Sequence, residues 1–147
     1  MKTEMKKVLL IHDLFSSSTD AFGLDFIGML RDEQVIVPEL PIHPQEAMEI
    51  LRNTCEKEQP DVIVGWQSGA GLAQQFFDYD RVLINPDYQV SNVLETLLNG
   101  EDETQIPYLF DRFDGQQYIR INAELIDEFR QMEARQFEQY SRISGST

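Results

Sequence analysis

The sequence has little of what marks a secreted, disulfide-bonded or membrane protein. Cys55 is the one cysteine among 147 residues, so no disulfide can form within the chain. No apolar run approaches the roughly 18 residues of a membrane-spanning helix. Met1–Lys7 is polar and the apolar Val8–Ile11 is short, which is unlike a secretory signal. These absences favour a cytoplasmic protein that does not associate with membranes.

Basic residues are also scarce. Twelve Lys and Arg stand against twenty-six Asp and Glu, so the net charge is −14. The imbalance is local, because residues 8–111 carry nineteen acids and four bases, whereas residues 112–147 are close to neutral. An acidic chain repels phosphate backbones, which argues against nucleic acid as a partner. Solubility is the simpler explanation of the charge, and attraction to a basic protein is the more specific one.

Histidine is rarer still, and His12 and His43 are the two in the chain. Neither has the spacing of metal ligands, so we expect no metal site. The glycine-rich segment Gly65–Gly71 lacks the lysine of a P-loop and follows the third predicted strand, so it predicts no nucleotide cofactor. We expect His12 to order the loop after the first strand and His43, between two prolines, to lie at the surface.

Short apolar runs alternate with amphipathic stretches over the first two thirds of the chain. This order predicts one α/β domain over residues 1–147, with a short, mainly parallel four-stranded sheet and frayed tails at residues 1–6 and 144–147. The runs predict strands at Lys7–His12, Val35–Val37, Val62–Val64 and Arg81–Ile84. The stretches predict helices over Ala21–Arg31, Pro44–Glu58, Leu72–Phe77 and Ser91–Leu98.

The last third of the chain predicts different structure. Tyr108–Phe110 and Tyr118–Ile121 flank Asp114-Gly115, and Asp-Gly between apolar runs is a strong hairpin signal. Asn122 then predicts the start of a long helix, whose apolar residues recur every three or four positions up to residue 143. We therefore expect an added hairpin and a long C-terminal helix.

Three segments resemble those of a known family. Leu9–Ser17 resembles the opening L-x-x-H-G-F-x-S-S of the small bacterial YqiA-like esterases, which belong to the α/β-hydrolase superfamily. Val64–Ala70 resembles their nucleophile elbow, V-G-x-S-x-G-G, and Val82–Pro86 resembles their strand end, L-I-N-P. The resemblance implies a truncated α/β-hydrolase-like fold in which the predicted strands lie in the order second, first, third, fourth.

The chain departs from this family at the elbow. An elbow has glycine two residues before and two residues after the nucleophile, because strand and helix crowd the turn there. Gly65 and Gly69 bracket Gln67, whose amide cannot act as a nucleophile. If Ser68 were the nucleophile instead, Trp66 would fill one of the crowded positions, and its side chain is too large. The sequence therefore predicts a degenerate elbow.

The resemblance brings two further departures. Asp13-Leu14 matches the loop that supplies an oxyanion-hole N–H, and Asp13 replaces the glycine of the family. A carboxylate there would disfavour a developing oxyanion. The acid and histidine of α/β-hydrolases follow the elbow, whereas His12 and His43 precede it. We therefore expect no catalytic residues, and an active chain would have to use Ser68 and His12.

These departures predict a catalytically inactive, hydrolase-like protein that acts as an acidic protein-binding module. An inhibitor or immunity protein of a basic toxin or enzyme is one concrete version. The alternatives are a serine esterase of the YqiA-like family that uses Ser68, and a fragment of a longer esterase.

Because no βαβ unit follows Arg81–Ile84, that strand should be a sheet edge, covered by the hairpin, by the last helix or by a second copy in a homodimer.

Overall fold

A computed structural model describes residues 6–19, 33–87, 89–108 and 110–145, together with Asp25 and Gly28. For residues 136–145 we describe only the backbone. Apart from Asp25 and Gly28, the helix predicted over Ala21–Arg31 lies outside the described residues, as do residues 1–5, 146 and 147 of the two predicted tails. That residues 1–147 form one domain stays a prediction.

A four-stranded parallel sheet forms the centre of the fold. Its strands are β1 (Lys7–Ile11), β2 (Gln34–Ile36), β3 (Val62–Trp66) and β4 (Asp80–Ile84), in the order β2-β1-β3-β4. Leu9, Leu10 and Ile11 are all fully buried, which explains why β1 is continuously apolar rather than alternating. The predicted α/β class and strand order are confirmed.

Helices follow the strands. They are α1 (Pro44–Glu58), α2 (Ser68–Ala73), α3 (Val90–Leu98) and α4 (Ala123–Gly145). Pro44 is the first residue of α1, where a missing N–H does no harm. Asn122 Oδ1 accepts the N–H of Leu125 at 2.9 Å and so caps α4. No helix in the described part of the chain is long and apolar enough to cross a membrane.

The helix predicted over Leu72–Phe77 was placed too late. α2 begins at Ser68 and ends at Ala73, so it contains Gly69 and Gly71. Glycine has a low intrinsic helix propensity, which is why the sequence favoured a later start. All six residues of α2 are buried, so tertiary packing outweighs that propensity.

The hairpin is present, but its first strand was predicted wrongly. β5 (Glu103–Pro107) pairs antiparallel with β6 (Tyr118–Asn122) in a sheet of its own. Only Thr104 and Ile106 of β5 are half-buried, so the strand has little apolar signal. Asp114-Gly115 belongs to a longer loop, in which the N–H of Gly115 donates to the carbonyl of Arg112 at 3.2 Å.

Two apolar clusters hold the sheet in place. Val8, Leu10, Val64 and Trp66 form the smaller one. The larger one contains alternate residues of the same strands together with residues from the helices and from β6. Its fully buried members include Leu9, Ile11, Ile63, Leu51, Leu72, Leu94, Ile119, Ile121 and Phe129. The sheet is therefore packed firmly in the fold, and the loops that follow the carboxyl ends of its strands are held by it.

Candidate functional site at the carboxyl edge of the sheet

The turn between β3 and α2 holds Gln67 in a strained conformation. Its φ of 56° and ψ of −123° lie in a region that side-chain-bearing residues rarely adopt. The Gln67 N–H donates to the carbonyl of Ile84 at 2.9 Å, and its carbonyl accepts the N–H of Asp87 at 3.2 Å. The Gln67 side chain is exposed. The backbone therefore presents residue 67 as an elbow presents a nucleophile, but with an amide in that place.

Two glycines allow this close approach of strand and helix. A Cβ added to Gly65 would lie 2.6 Å from the carbonyl oxygen of Gly69. A Cβ added to Gly69 would lie 2.5 Å from the carbonyl oxygen of Ile11 and 2.6 Å from that of His12. Because these neighbours are backbone atoms, no side-chain rotation can relieve the overlap. Trp66 is 4% exposed and belongs to the smaller apolar cluster.

Ser68 and Asp13 are joined directly beside Gln67. Ser68 Oγ donates a hydrogen bond to Asp13 Oδ1 and accepts the N–H of Leu14 at 2.8 Å. The backbone N–H of Ser68 donates to the same Asp13 oxygen at 3.3 Å. Ser68 is 1% exposed, so its hydroxyl is engaged on both sides and shielded from solvent.

These hydrogen bonds occupy the N–H groups that an elbow uses for catalysis. In α/β-hydrolases the oxyanion hole combines the N–H of the residue after the nucleophile with an N–H from an earlier loop. The corresponding groups here belong to Ser68 and Leu14. Asp13 Oδ1 accepts the first and Ser68 Oγ accepts the second. Both N–H groups therefore already donate to oxygen atoms of the chain itself.

His12 is fully buried and holds two loops together. Its Nε2 accepts the N–H of Leu40 at 2.9 Å, so Nε2 carries the lone pair and the proton is on Nδ1. Nδ1 lies 2.7 Å from the carbonyl oxygen of Asp13 and donates to it. Glu39 Oε2 lies 3.4 Å from Nε2, which is a neutral nitrogen in this tautomer. Because a backbone amide already occupies its lone pair, His12 is poorly arranged to take a proton from Ser68.

His43 lies away from this turn. Its side chain is 40% exposed, and Nδ1 lies 2.6 Å from Glu128 Oε2. The described residues contain no group of three His, Cys, Asp or Glu side chains that could hold a metal ion.

The sequence did not single out Arg112, a buried side chain with several hydrogen bonds near the site. Its guanidinium is buried and donates to the carbonyls of Ser16 and Leu40, both at 2.6 Å. It also donates to Asp114 Oδ2 at 2.7 Å and lies 4.4 Å from the ring centroid of Tyr108. Burial lowers the pKa of Arg112, but the hydrogen bond with Asp114 and neighbouring groups raise it by more. Arg112 therefore fastens the β5–β6 loop over the loop after β1.

A cavity of about 370 Å³ opens beside Gln67. Asp13, Gln67, Asn85 and Asp87 give it polar groups, two of which are carboxylates. Val93 and Leu97 of α3 form part of an apolar wall and are 50% and 40% exposed. The cavity therefore combines negative charge with accessible apolar surface.

The fold has a counterpart among solved structures. The crystal structure of a "Putative hydrolase" from Agrobacterium vitis S4 matches this chain with a TM-score of 0.58 and 12% sequence identity. The match covers 86% of this chain and 60% of that protein, so this chain spans less than two thirds of its length. The similarity shows a hydrolase-like α/β fold. Comparisons of the sequence with family models and with curated proteins give no match.

Proposed function

We propose that this protein is catalytically inactive and binds a basic protein partner. The observation that carries the proposal is the Asp13 carboxylate, which accepts hydrogen bonds from both the N–H and the hydroxyl of Ser68. The Asp13 carboxylate would thereby occupy the place that a developing oxyanion takes in an esterase. The turn beside it carries the amide side chain of Gln67 where an esterase has its nucleophile. On this proposal the resemblance to YqiA-like esterases is one of fold, without the chemistry.

The charge of the chain supports a basic partner. Residues 8–111 carry −15, and this field attracts and orients a positively charged protein before contact. Asp13 and Asp87 place carboxylates in the cavity beside the apolar Val93 and Leu97. A lysine or arginine side chain combines an apolar stem with a charged end and so suits such a lining. An inhibitor or immunity protein of a basic toxin or enzyme would act in this way.

The alternative is a serine esterase that uses Ser68. Its hydroxyl is buried and donates to Asp13, and the backbone N–H of Leu14 donates to it. A substrate carbonyl would therefore have to displace two internal hydrogen bonds to reach the oxygen. The geometry favours the inactive protein.

An ester-hydrolysis assay tests the inactivity. We expect purified protein to hydrolyse short-chain aryl esters no faster than buffer. The Gln67→Ser variant should be nearly as inert, because a serine at residue 67 has no base to activate it and faces a filled anion position. Turnover by the unmodified chain that disappears in Ser68→Ala would establish the esterase and refute the proposal.

Affinity capture from native extract, followed by mass spectrometry, tests the binding. We expect basic proteins to be enriched on the unmodified chain and reduced on Asp87→Lys. Asp102→Lys is the matched control, because it changes the net charge equally at an exposed residue outside the cavity lining. Equal capture by both variants would show that the cavity does not contribute.

A further inference from the structure

The outer edge of β4 has no partner strand in the part of the chain that the structure describes. The sequence predicts three possible covers for it, which are the hairpin, the last helix and a second copy in a homodimer. The hairpin instead forms a separate sheet and packs against α3 and α4. The edge therefore needs an explanation, since natural proteins rarely leave a strand edge open.

The hydrogen bonds of β4 identify the peptide groups that face outward. The carbonyl of Ile84 accepts the N–H of Gln67, which continues β3, so the peptide groups of Ile84 face β3. Groups of alternate residues in a strand point to opposite sides. Those of Val82 therefore also face β3, and the N–H and carbonyl groups of Arg81 and Leu83 face away from the sheet.

The side chains leave this edge accessible. Val82, at its centre, is 47% exposed, and Phe77 is 45% exposed. The charged side chain that could obstruct the edge is that of Arg81, and it contacts other residues of the same chain instead. The Arg81 guanidinium donates to the carbonyl of Gln74 and lies 5.2 Å from the ring centroid of Phe77. β4 contains no proline, another device that protects edges.

The negative charge of the chain indicates which kind of molecule can pair with the edge of β4. A second copy would bring one net charge of −14 against another, which opposes association. Carboxylates also lie at both ends of β4, with Asp78 and Asp80 at its start and Asp87 just after its end. A basic segment is therefore favoured over a second copy.

We propose that β4 binds an extended, basic segment of the protein partner as a fifth strand of the sheet. This inference rests on the proposed function and describes its partner more closely. Arg81 and Leu83 supply the main-chain hydrogen bonds, and Val82 contacts an apolar side chain of the added strand. Strand addition takes its affinity from main-chain bonds and its specificity from alternate side chains.

Amide hydrogen exchange with a model peptide tests the proposal. The probe is a blocked octapeptide of alternating lysine and valine. In the free protein, the amides of Arg81 and Leu83 should exchange rapidly, and those of Val82 and Ile84 slowly. At a peptide concentration about ten times its Kd, exchange at Arg81 and Leu83 should slow about tenfold.

Two control peptides separate strand addition from charge attraction. An octapeptide of alternating glutamate and valine has the same strand preference with the opposite charge and should give no protection. A lysine–valine octapeptide N-methylated at every residue keeps the charge but cannot donate main-chain hydrogen bonds, and it should also fail. Val82→Lys should weaken binding severalfold. Phe113→Lys, which makes the same charge change at a residue 82% exposed in the β5–β6 loop, should not.

Three results would overturn the inference. They are unchanged exchange with the lysine–valine peptide, equal protection by its N-methylated form, and slow exchange at Arg81 and Leu83 in a protein that light scattering shows to be a dimer. The last result would assign the edge to a second copy. Each leaves the ester-hydrolysis result unaffected, so failure of this inference is distinguishable from failure of the proposed function.

Discussion

At the scale of single residues, Gly69 is the position where the turn tolerates least change. A Cβ there would lie within 2.6 Å of two backbone carbonyl oxygens of the β1 end. Strand and helix would have to separate, and much of the α2 packing would be lost. We expect Gly69→Ala to lower the free energy of unfolding by about 2–4 kcal/mol, in the range of severe packing defects. Urea denaturation measures this difference.

Gly28→Ala is the matched control for that substitution. No atom lies within 4 Å of a Cβ added at Gly28, which is in helical conformation. Alanine is the better helix former by about 1 kcal/mol, so this variant should be as stable as the unmodified protein or slightly more stable. Similar losses in both variants would mean that the close approach at Gly69 does not constrain the turn.

Part of the site could be predicted from residues close together in the sequence. The glycines around Gln67 indicated a crowded turn with an amide at its tip. The predicted strand order makes β1 and β3 neighbours, but the bond between Asp13 and Ser68, which are 55 positions apart, also depends on side-chain rotamers that no local sequence pattern specifies. Arg112 was missed because its partners are distant in the sequence. Its carbonyl partners, Ser16 and Leu40, lie on segments 96 and 72 positions away.

At the scale of elements, the β5–β6 loop depends on one buried cation. Removing Arg112 would leave the carbonyls of Ser16 and Leu40 without this donor and would remove the cation from the Tyr108 ring. We expect Arg112→Met to lower the free energy of unfolding by about 3 kcal/mol, the usual size for a broken buried charge network. Thermal unfolding measures the loss, and exposed Arg120→Met is the control.

Asp114 makes the same loop sensitive to pH. Its hydrogen bond with Arg112 holds the pKa of the Asp114 carboxyl below its ordinary value, against the opposing effect of burial. A carboxyl whose folded-state pKa is lowered stabilises the fold above its unfolded-state pKa and stops doing so as pH falls through the folded value. Asp114→Asn should therefore lose stability at pH 7 but show a smaller drop on acidification. Because the side chain is 38% exposed, the difference should stay below about 1 kcal/mol.

Chemical denaturation between pH 7 and pH 2 tests this dependence. The two curves should converge at the acid end, where Asp114 is protonated. Asp102→Asn serves as the control at an exposed carboxyl. A constant difference between Asp114→Asn and the unmodified protein at every pH would contradict the role of the Arg112 hydrogen bond.

The elements themselves were predicted unevenly, for physical reasons. Buried parallel strands are continuous apolar runs, so β1 and β3 stand out in the sequence. β4 stands out through Val82-Leu83-Ile84, although none of its residues is fully buried. β5 does not, because only Thr104 and Ile106 face inward in an otherwise exposed strand. The Asp114-Gly115 pair indicated a tight hairpin turn. Its carboxylate binds Arg112 instead, and the chain makes a longer loop.

At the scale of the whole molecule, the excess of acidic residues produces electrostatic self-repulsion. A charge of −14 on 147 residues opposes the compact state, and added salt screens that repulsion. The Debye length falls from about 30 Å at 0.01 M to about 3 Å at 1 M salt. We therefore expect the Tm to rise by several degrees between low salt and 0.5 M NaCl, measured by differential scanning calorimetry.

A charge-reversal variant separates screening from general salt effects. Glu101→Lys, at an exposed residue after α3, should raise the Tm at low salt and lose most of that advantage at 0.5 M NaCl. A Tm that falls with salt, or a variant effect independent of salt, would mean that local ion pairs outweigh the overall repulsion.

The hydrogen bonds between Ser68 and Asp13 also bear on how many substitutions an esterase would need at this turn. Gln67→Ser alone leaves Asp13 on the N–H of Ser68, and Asp13→Gly alone frees that N–H beside a turn that has no nucleophile. On the proposed function, neither substitution alone is therefore expected to produce hydrolysis, and an esterase would require both changes together with a base.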